Sequence, residues 1–246
     1  MLEHRPDPAA PVVALVLAGG AGSRMGHPKQ FIDLLGAPAL LHALRAFEET
    51  PEVTRIYAVG DHARVEELAA ESGISKYTGC APPGESRSLS TRNGLQLCGD
   101  EEEGTLVLVH DGSRCLVTPG LIGRVVAAAL GDLAAAGVVP ALPVSDTVKV
   151  AENGTVLETL DRTKLHAVQT PQAFRLGLLR GIYADSEERL RGATDDASLI
   201  EKAGGRVLIV GGEKTNIKLT SPEDLILAEA ILAARAGARH GVWRRS

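Results

Sequence analysis

The stretch Gly19-Gly20-Ala21-Gly22-Ser23-Arg24-Met25-Gly26 sets an arginine among four glycines, and Lys29 follows Pro28. Glycine lets backbone N–H groups approach an anion closely, and Arg24 and Lys29 flank that cradle with two full charges. The combination suits a polyphosphate. The sequence lacks the Gly-Lys-Ser/Thr ending of a P-loop, and Met25 stands where a dinucleotide fingerprint needs its third glycine. The alternative is a tight strand-to-helix turn with solvated cations. A second candidate is Val109-His110-Asp111-Gly112-Ser113-Arg114, where a carboxylate ends an apolar run. Such an Asp111 could hold Mg²⁺ while nucleotide phosphates complete the shell, or it could cap the following turn. His110, on a mostly apolar strand, reads as a hydrogen-bonded core histidine with no catalytic role. Lys218, in Asn216-Ile217-Lys218-Leu219-Thr220, needs an anion to meet if its run is buried. Arg162 is a candidate anion contact, or an exposed charge. Thr194 with Asp195, and Ser221-Pro222-Glu223-Asp224, read as helix starts.

The elements that must position these residues alternate. Val12 to Ala18 reads as a buried strand feeding the glycine loop, followed by a helix from Ala39 to Glu49. A strand over Arg55 to Val59 comes next, then a helix capped by Asp61 and a short strand from Ile74 to Gly79. A helix from Arg87 to Leu97 leads to the strand Thr105 to His110. A helix from Pro119 to Leu130 and a strand from Val138 to Leu142 complete the series. That alternation implies an α/β fold with a doubly wound, mainly parallel sheet. The rhythm breaks where Glu152-Asn153-Gly154 separates two β-prone runs, the strongest local hairpin signal, read here as a protruding arm over residues 147–162. Helices over Leu176 to Tyr183, Thr194 to Ala203 and Pro222 to Ala234, with a strand from Val207 to Val210, close the chain. One domain over residues 12–235 is expected, with a flexible N-terminus (1–11) and a frayed basic tail (236–246).

Composition narrows the class. Hydrophobic residues make up 44% of the chain and charged residues 23%, which excludes a disordered chain. A net charge of −5 and 3% aromatics argue against a nucleic-acid-binding surface. Cys80, Cys98 and Cys115 show no C-x-x-C spacing and leave one unpaired in any disulfide scheme, which points to a reducing compartment. No apolar run is long enough to span a bilayer, so a cytoplasmic protein without membrane partners is expected.

Six ordered motifs together resemble the 2-C-methyl-D-erythritol 4-phosphate cytidylyltransferases. They are residues 17–30, His110-Asp111-x-x-Arg114, Pro143-Val144-x-Asp146-Thr147-x-Lys149, Gln169-Thr170-Pro171-Gln172-x-Phe174, Thr194-Asp195-Asp196-Ala197-Ser198 and Asn216-Ile217-Lys218. The resemblance implies a Rossmann-like sheet of nucleotidyltransferase type and a homodimer joined through the arm. It also implies a Mg²⁺-dependent reaction of CTP with a polyol phosphate that releases pyrophosphate. By motif position, Arg24, Lys29 and Lys218 would be catalytic. Gly19, Gly20, Gly22, Gly84, Ser90 and Arg114 would bind the nucleotide. Thr147, Arg162, Thr170 and Asp195 would bind substrate, with Thr147 and Arg162 reaching across the dimer, and Asp111 would hold the metal. Where the family usually has His-Asp-Ala-Ala-Arg-Pro, this chain has Gly112, Ser113 and Cys115. That departure bears on the identity of the polyol, and a ribitol-5-phosphate cytidylyltransferase is the nearest alternative.

Overall fold

Val12–Leu17 forms strand β1, and its side chains divide between the two faces of one sheet. Val12, Ala14 and Val16 enter one core, and Val13 and Leu15 the other. Strand β4 (Leu106–Asp111) divides likewise, with Leu106 and Leu108 on the first face and Val107 and Val109 on the second. Burial on both faces is why these strands are continuously apolar rather than alternating. The computed structural model describes residues 10–20 and 28–239.

Between and after these strands come α1 (Ala39–Glu48), β2 (Val53–Val59), α2 (His62–Glu71), β3 (Tyr77–Ala81) and α3 (Arg87–Leu97). β4 leads to α4 (Pro119–Gly131) and β5 (Gly137–Pro143), and then to the hairpin β6 (Lys149–Glu152) and β7 (Thr155–Thr159). The chain continues through β8 (His166–Val168), β9 (Gln172–Arg175), α5 (Leu176–Tyr183) and α6 (Glu187–Arg191). It ends with α7 (Asp196–Lys202), β10 (Val207–Gly211) and α8 (Pro222–Arg239). The main sheet runs β10-β5-β9-β4-β1-β2-β3, with β8 added on β5. β1 is parallel to β2 and β4, β2 to β3, and β5 to β10. β9 is antiparallel to both neighbours, β4 and β5.

Helices α1, α2 and α4 cover one face, and α3 with α5, α6 and α7 the other, so the sheet is doubly wound as expected. Side chains cap the helices that approach the strand ends. Asp61, Ser86, Thr118 and Asp195 accept from the backbone N–H of Arg64, Leu89, Leu121 and Ser198. The arm turns on Asn153 and Gly154, both at positive φ (49° and 79°), and β6–β7 stands as a two-stranded sheet of its own. β8, β9 and α6 are elements beyond those the sequence indicated. α8 continues to Arg239, so residues 236–239 are helical rather than frayed. The expected flexible N-terminus and the rest of the basic tail, residues 1–9 and 240–246, lie outside the described residues, although the Pro11 carbonyl already accepts from Leu106 N.

Candidate active site

Because β1, β3 and β4 point the same way, the loops leaving their carboxyl ends meet at one edge of the sheet. A cleft of about 440 Å³ opens there. The loop after β1 brings Gly19 and Gly20, the 3-10 turn Lys29–Phe31 brings Lys29, and the loop before α3 brings Gly84 and Ser90. β4 delivers Asp111, and the segment before α8 delivers Lys218. Seven of the residues singled out by sequence therefore line one space. Gly22 and Arg24 lie outside the described residues. A larger cavity, about 710 Å³, sits among α5, α6 and α7, and Leu190 and Leu199 are in its wall.

Buried Gln30 organises the start of the glycine loop by donating through Nε2 to Ala18 O (2.6 Å) and Gly20 O (3.3 Å). Its neighbour Lys29 donates to Leu219 O and Thr220 O, each at 3.3 Å, tying this turn to the Lys218 segment. Across the cleft, Gly84 N donates to Ser90 Oγ (3.0 Å), which in turn donates to Ser86 O (2.9 Å). A Cβ on Gly84 would lie 2.5 Å from Leu89 Cβ and 2.6 Å from the Leu89 carbonyl carbon, so this loop closes only around glycine.

Asp111 is the electrostatic centre. Arg87 Nε donates to its Oδ1 at 2.9 Å and Lys218 Nζ to its Oδ2 at 2.7 Å. Burial alone would raise its pKa, but Arg87 and then Lys218 reverse this and hold the carboxyl below the usual carboxylate range. Its side chain thus meets two cations across the cleft. Lys218 does meet an anion, although its side chain is 43% exposed and its segment is irregular rather than a buried strand. The sequence does not single out Arg87: at the first position of α3 it resembles any solvated helix-end charge, and only its long-range partners mark it.

The remaining candidates serve elsewhere. Thr170 is buried; its hydroxyl accepts from Asp111 N (3.0 Å) and pairs with His110 Nδ1 (3.0 Å), while His110 Nε2 meets Arg114 O (3.2 Å). His110 stacks edge-on against Phe47, and burial pushes its pKa down to about 4, the hydrogen-bonded core histidine expected. The network pins the Asp111–Arg114 turn to the start of β9. Arg114 donates to Asn216 O (2.9 Å) and Val168 O (3.3 Å), bracing the walls rather than lining the cleft. Asp195 caps α7 and also accepts from Gln172 Nε2 (2.8 Å), so its carboxylate is engaged in structure. Thr147 and Arg162 are exposed at the two ends of the arm, with Arg162 donating to Ser145 O (2.6 Å). Of the departures in the β4 loop, Ser113 lines the cleft, whereas Cys115 is buried with Leu34, Leu116 and Leu219 beneath α8.

Together the cleft offers glycine backbone, two lysines, Arg87 and an ionised carboxylate, a set able to hold phosphates and a hard cation. A family model described as 2-C-methyl-D-erythritol 4-phosphate cytidylyltransferase matches residues 12–234. The chain is 68% identical over 223 residues to a Rubrobacter xylanophilus protein of that name, covering 91% of this chain and 95% of that one. It is 44% identical to the protein of that name from Geobacillus kaustophilus, covering 90% and 97%. Among solved structures it resembles that of the Francisella tularensis protein so named (TM-score 0.77, 27% identity, 90% and 99% covered). The Thermus thermophilus structure of the same name is similar too (TM-score 0.70, 30% identity, 89% and 98% covered).

Proposed function

The chain belongs to the 2-C-methyl-D-erythritol 4-phosphate cytidylyltransferase family, and from that premise we propose how its cleft carries out the transfer. The enzyme joins CTP to 2-C-methyl-D-erythritol 4-phosphate, giving 4-diphosphocytidyl-2-C-methyl-D-erythritol and pyrophosphate, a step in isoprenoid precursor formation. The observation that carries the assignment of the site is the meeting of Gly19, Gly20, Lys29, Asp111 and Lys218 in one cleft.

A phosphate oxygen of the acceptor attacks the α-phosphorus of CTP, forming one P–O bond as the bond to the β-phosphate breaks. That oxygen is already anionic, so no general base is needed; the obstacle is bringing two anions together. Lys29 and Lys218 offset this repulsion, and Gly19 and Gly20 present backbone to the triphosphate, with Gly22 and Arg24 assigned to the same cradle by motif. Gly84 and Ser90 shape the wall assigned to cytidine. Thr170 and Arg114 support this machinery by holding the β4 turn and the segment around Asn216. Asp195 fixes α7 beside it.

The donor set fits a divalent cation of the Mg²⁺ type. Asp111 is one ionised oxygen ligand beside room for phosphates, and the described residues contain no group of three or more His, Cys, Asp or Glu that would cage a metal unaided. When bound, Mg²⁺ would neutralise phosphate charge and orient the leaving pyrophosphate. We assign the same protein a homodimer in which the arm carries Thr147 and Arg162 to the neighbouring subunit; exposed Val150, Val156 and Leu157 on the arm support this. A cytoplasmic location fits three free, buried cysteines.

The test is pyrophosphate release with CTP and Mg²⁺ across a panel of polyol phosphates. Turnover with 2-C-methyl-D-erythritol 4-phosphate is expected, and activity confined to ribitol 5-phosphate would overturn the substrate.

A further inference from the structure

Asp111 is held by two cations that differ in what else holds them. The Lys218 side chain is 43% exposed, and among the described residues Asp111 is the acceptor of its ammonium. Arg87, the first residue of α3, is held through two nitrogens of its guanidinium, while Nη2 is buried without a partner among the described residues. Nε meets Asp111, and Nη1 meets Asp196 Oδ2 at 2.6 Å, where the Asp196 side chain is fully buried. The other oxygen of Asp196 accepts from the Tyr183 hydroxyl. Two carboxylates and two cations thus form a neutral quartet, with one exchangeable member.

When a triphosphate enters, Lys218 gains a more highly charged acceptor than Asp111. Arg87 cannot follow, because leaving would strand the Asp196 charge in the interior. We propose that Arg87 is a positioning residue for the metal-binding carboxylate: clamped by Asp196, it keeps Asp111 in place while Lys218 moves to the phosphates. The proposal rests on the reading of Asp111 as the metal ligand. It also gives a role to the second aspartate of Thr194-Asp195-Asp196, which does not line the cleft but holds Arg87, which does. A planar fork is required, since Nε and Nη1 serve different carboxylates and an ammonium offers no such span.

The experiment measures Mn²⁺ binding to the full-length protein with CTP by electron paramagnetic resonance, alongside thermal unfolding. Arg87→Lys should raise the Mn²⁺ dissociation constant about 10–100-fold, as loss of an outer-shell partner does. The double variant Arg87→Gln/Asp196→Asn removes the pair without leaving a buried unpaired charge, so it should fold and show the same rise. Tyr183→Phe retains the Arg87–Asp196 pair and should shift the constant less than about threefold, well below the effect of an outer-shell loss. Wild-type Mn²⁺ affinity in both Arg87 variants, with affinity lost in Asp111→Asn, would overturn the positioning role alone. So would a Tyr183→Phe loss as large as that of Arg87→Lys, which would mark the quartet as general support for the fold. Unchanged affinity in Asp111→Asn would instead overturn the metal assignment, and this proposal with it.

Discussion

Lys29 shows how a residue's chemistry can be separated from its structural part. It makes two long bonds to backbone carbonyls, each 3.3 Å, at the edge of the cleft we propose for the phosphates. Removing one preorganised charge from such a site typically costs about 10²–10³ in turnover, whereas an intramolecular hydrogen bond contributes only about 1 kcal/mol to stability. Lys29→Ala should therefore lose pyrophosphate release by about that factor while its unfolding transition moves little. Near-normal release would remove Lys29 from the catalytic set. The same contrast explains what the sequence disclosed. Lys218 stands out as an ammonium in an apolar run and does meet Asp111, although the run is irregular and the side chain is 43% exposed rather than buried on a strand. Arg87 does not, because a cation in the first turn of a helix is ordinary, and its partner Asp196 lies 109 positions away.

At the scale of elements, legibility followed locality. The arm was readable because Asn153-Gly154 satisfies a turn whose two central residues need positive φ, a requirement local to four residues. β9 was not: Gln172–Arg175 has four residues and becomes a strand because β4 and β5 offer it antiparallel partners on both sides. That strand matters to the site, since the Thr170 hydroxyl just before it receives the Asp111 backbone N–H. The loop preceding α3 is the element most exposed to a single atom. Gly84→Ala forces a Cβ to within 2.6 Å of backbone at Leu89, so the loop must open and lose the Gly84–Ser90 bond. Overpacking of this kind costs about 1–3 kcal/mol. If the loop forms the nucleotide wall, that strain should appear as a raised KM for CTP, with the KM for the polyol phosphate less affected. An equal rise in both constants would argue against a wall specific to the nucleotide.

For the whole molecule, a net charge of −5 coexists with cations in the cleft, of which Arg87 and Lys218 are paired with the buried carboxylates Asp111 and Asp196 rather than spread over a surface. The arm extends this whole-molecule logic, since Leu157 is 61% exposed on a two-stranded sheet that needs cover. Leu157→Asp should shift a dimer toward monomer in light scattering, and an unaltered mass would remove the arm from the interface. The buried thiols set an alkaline limit. Burial raises Cys80 and Cys98 from 9.0 to about 11 and Cys115 to about 12, and Tyr57, Tyr77 and Tyr183 are raised in the same sense from 10.0, again chiefly by burial. Below pH 9 the folded and unfolded chains both hold these protons, and the stabilisation is complete. Above it the unfolded chain ionises first, so each thiol withdraws on the order of 1 kcal/mol per pH unit until its folded pKa is reached. The unfolding midpoint should accordingly fall as pH rises from 9 toward 11. Native protein at pH 8 should resist iodoacetamide at all three cysteines, and alkylation there as fast as in denaturant would show that the thiols are not shielded as the fold requires.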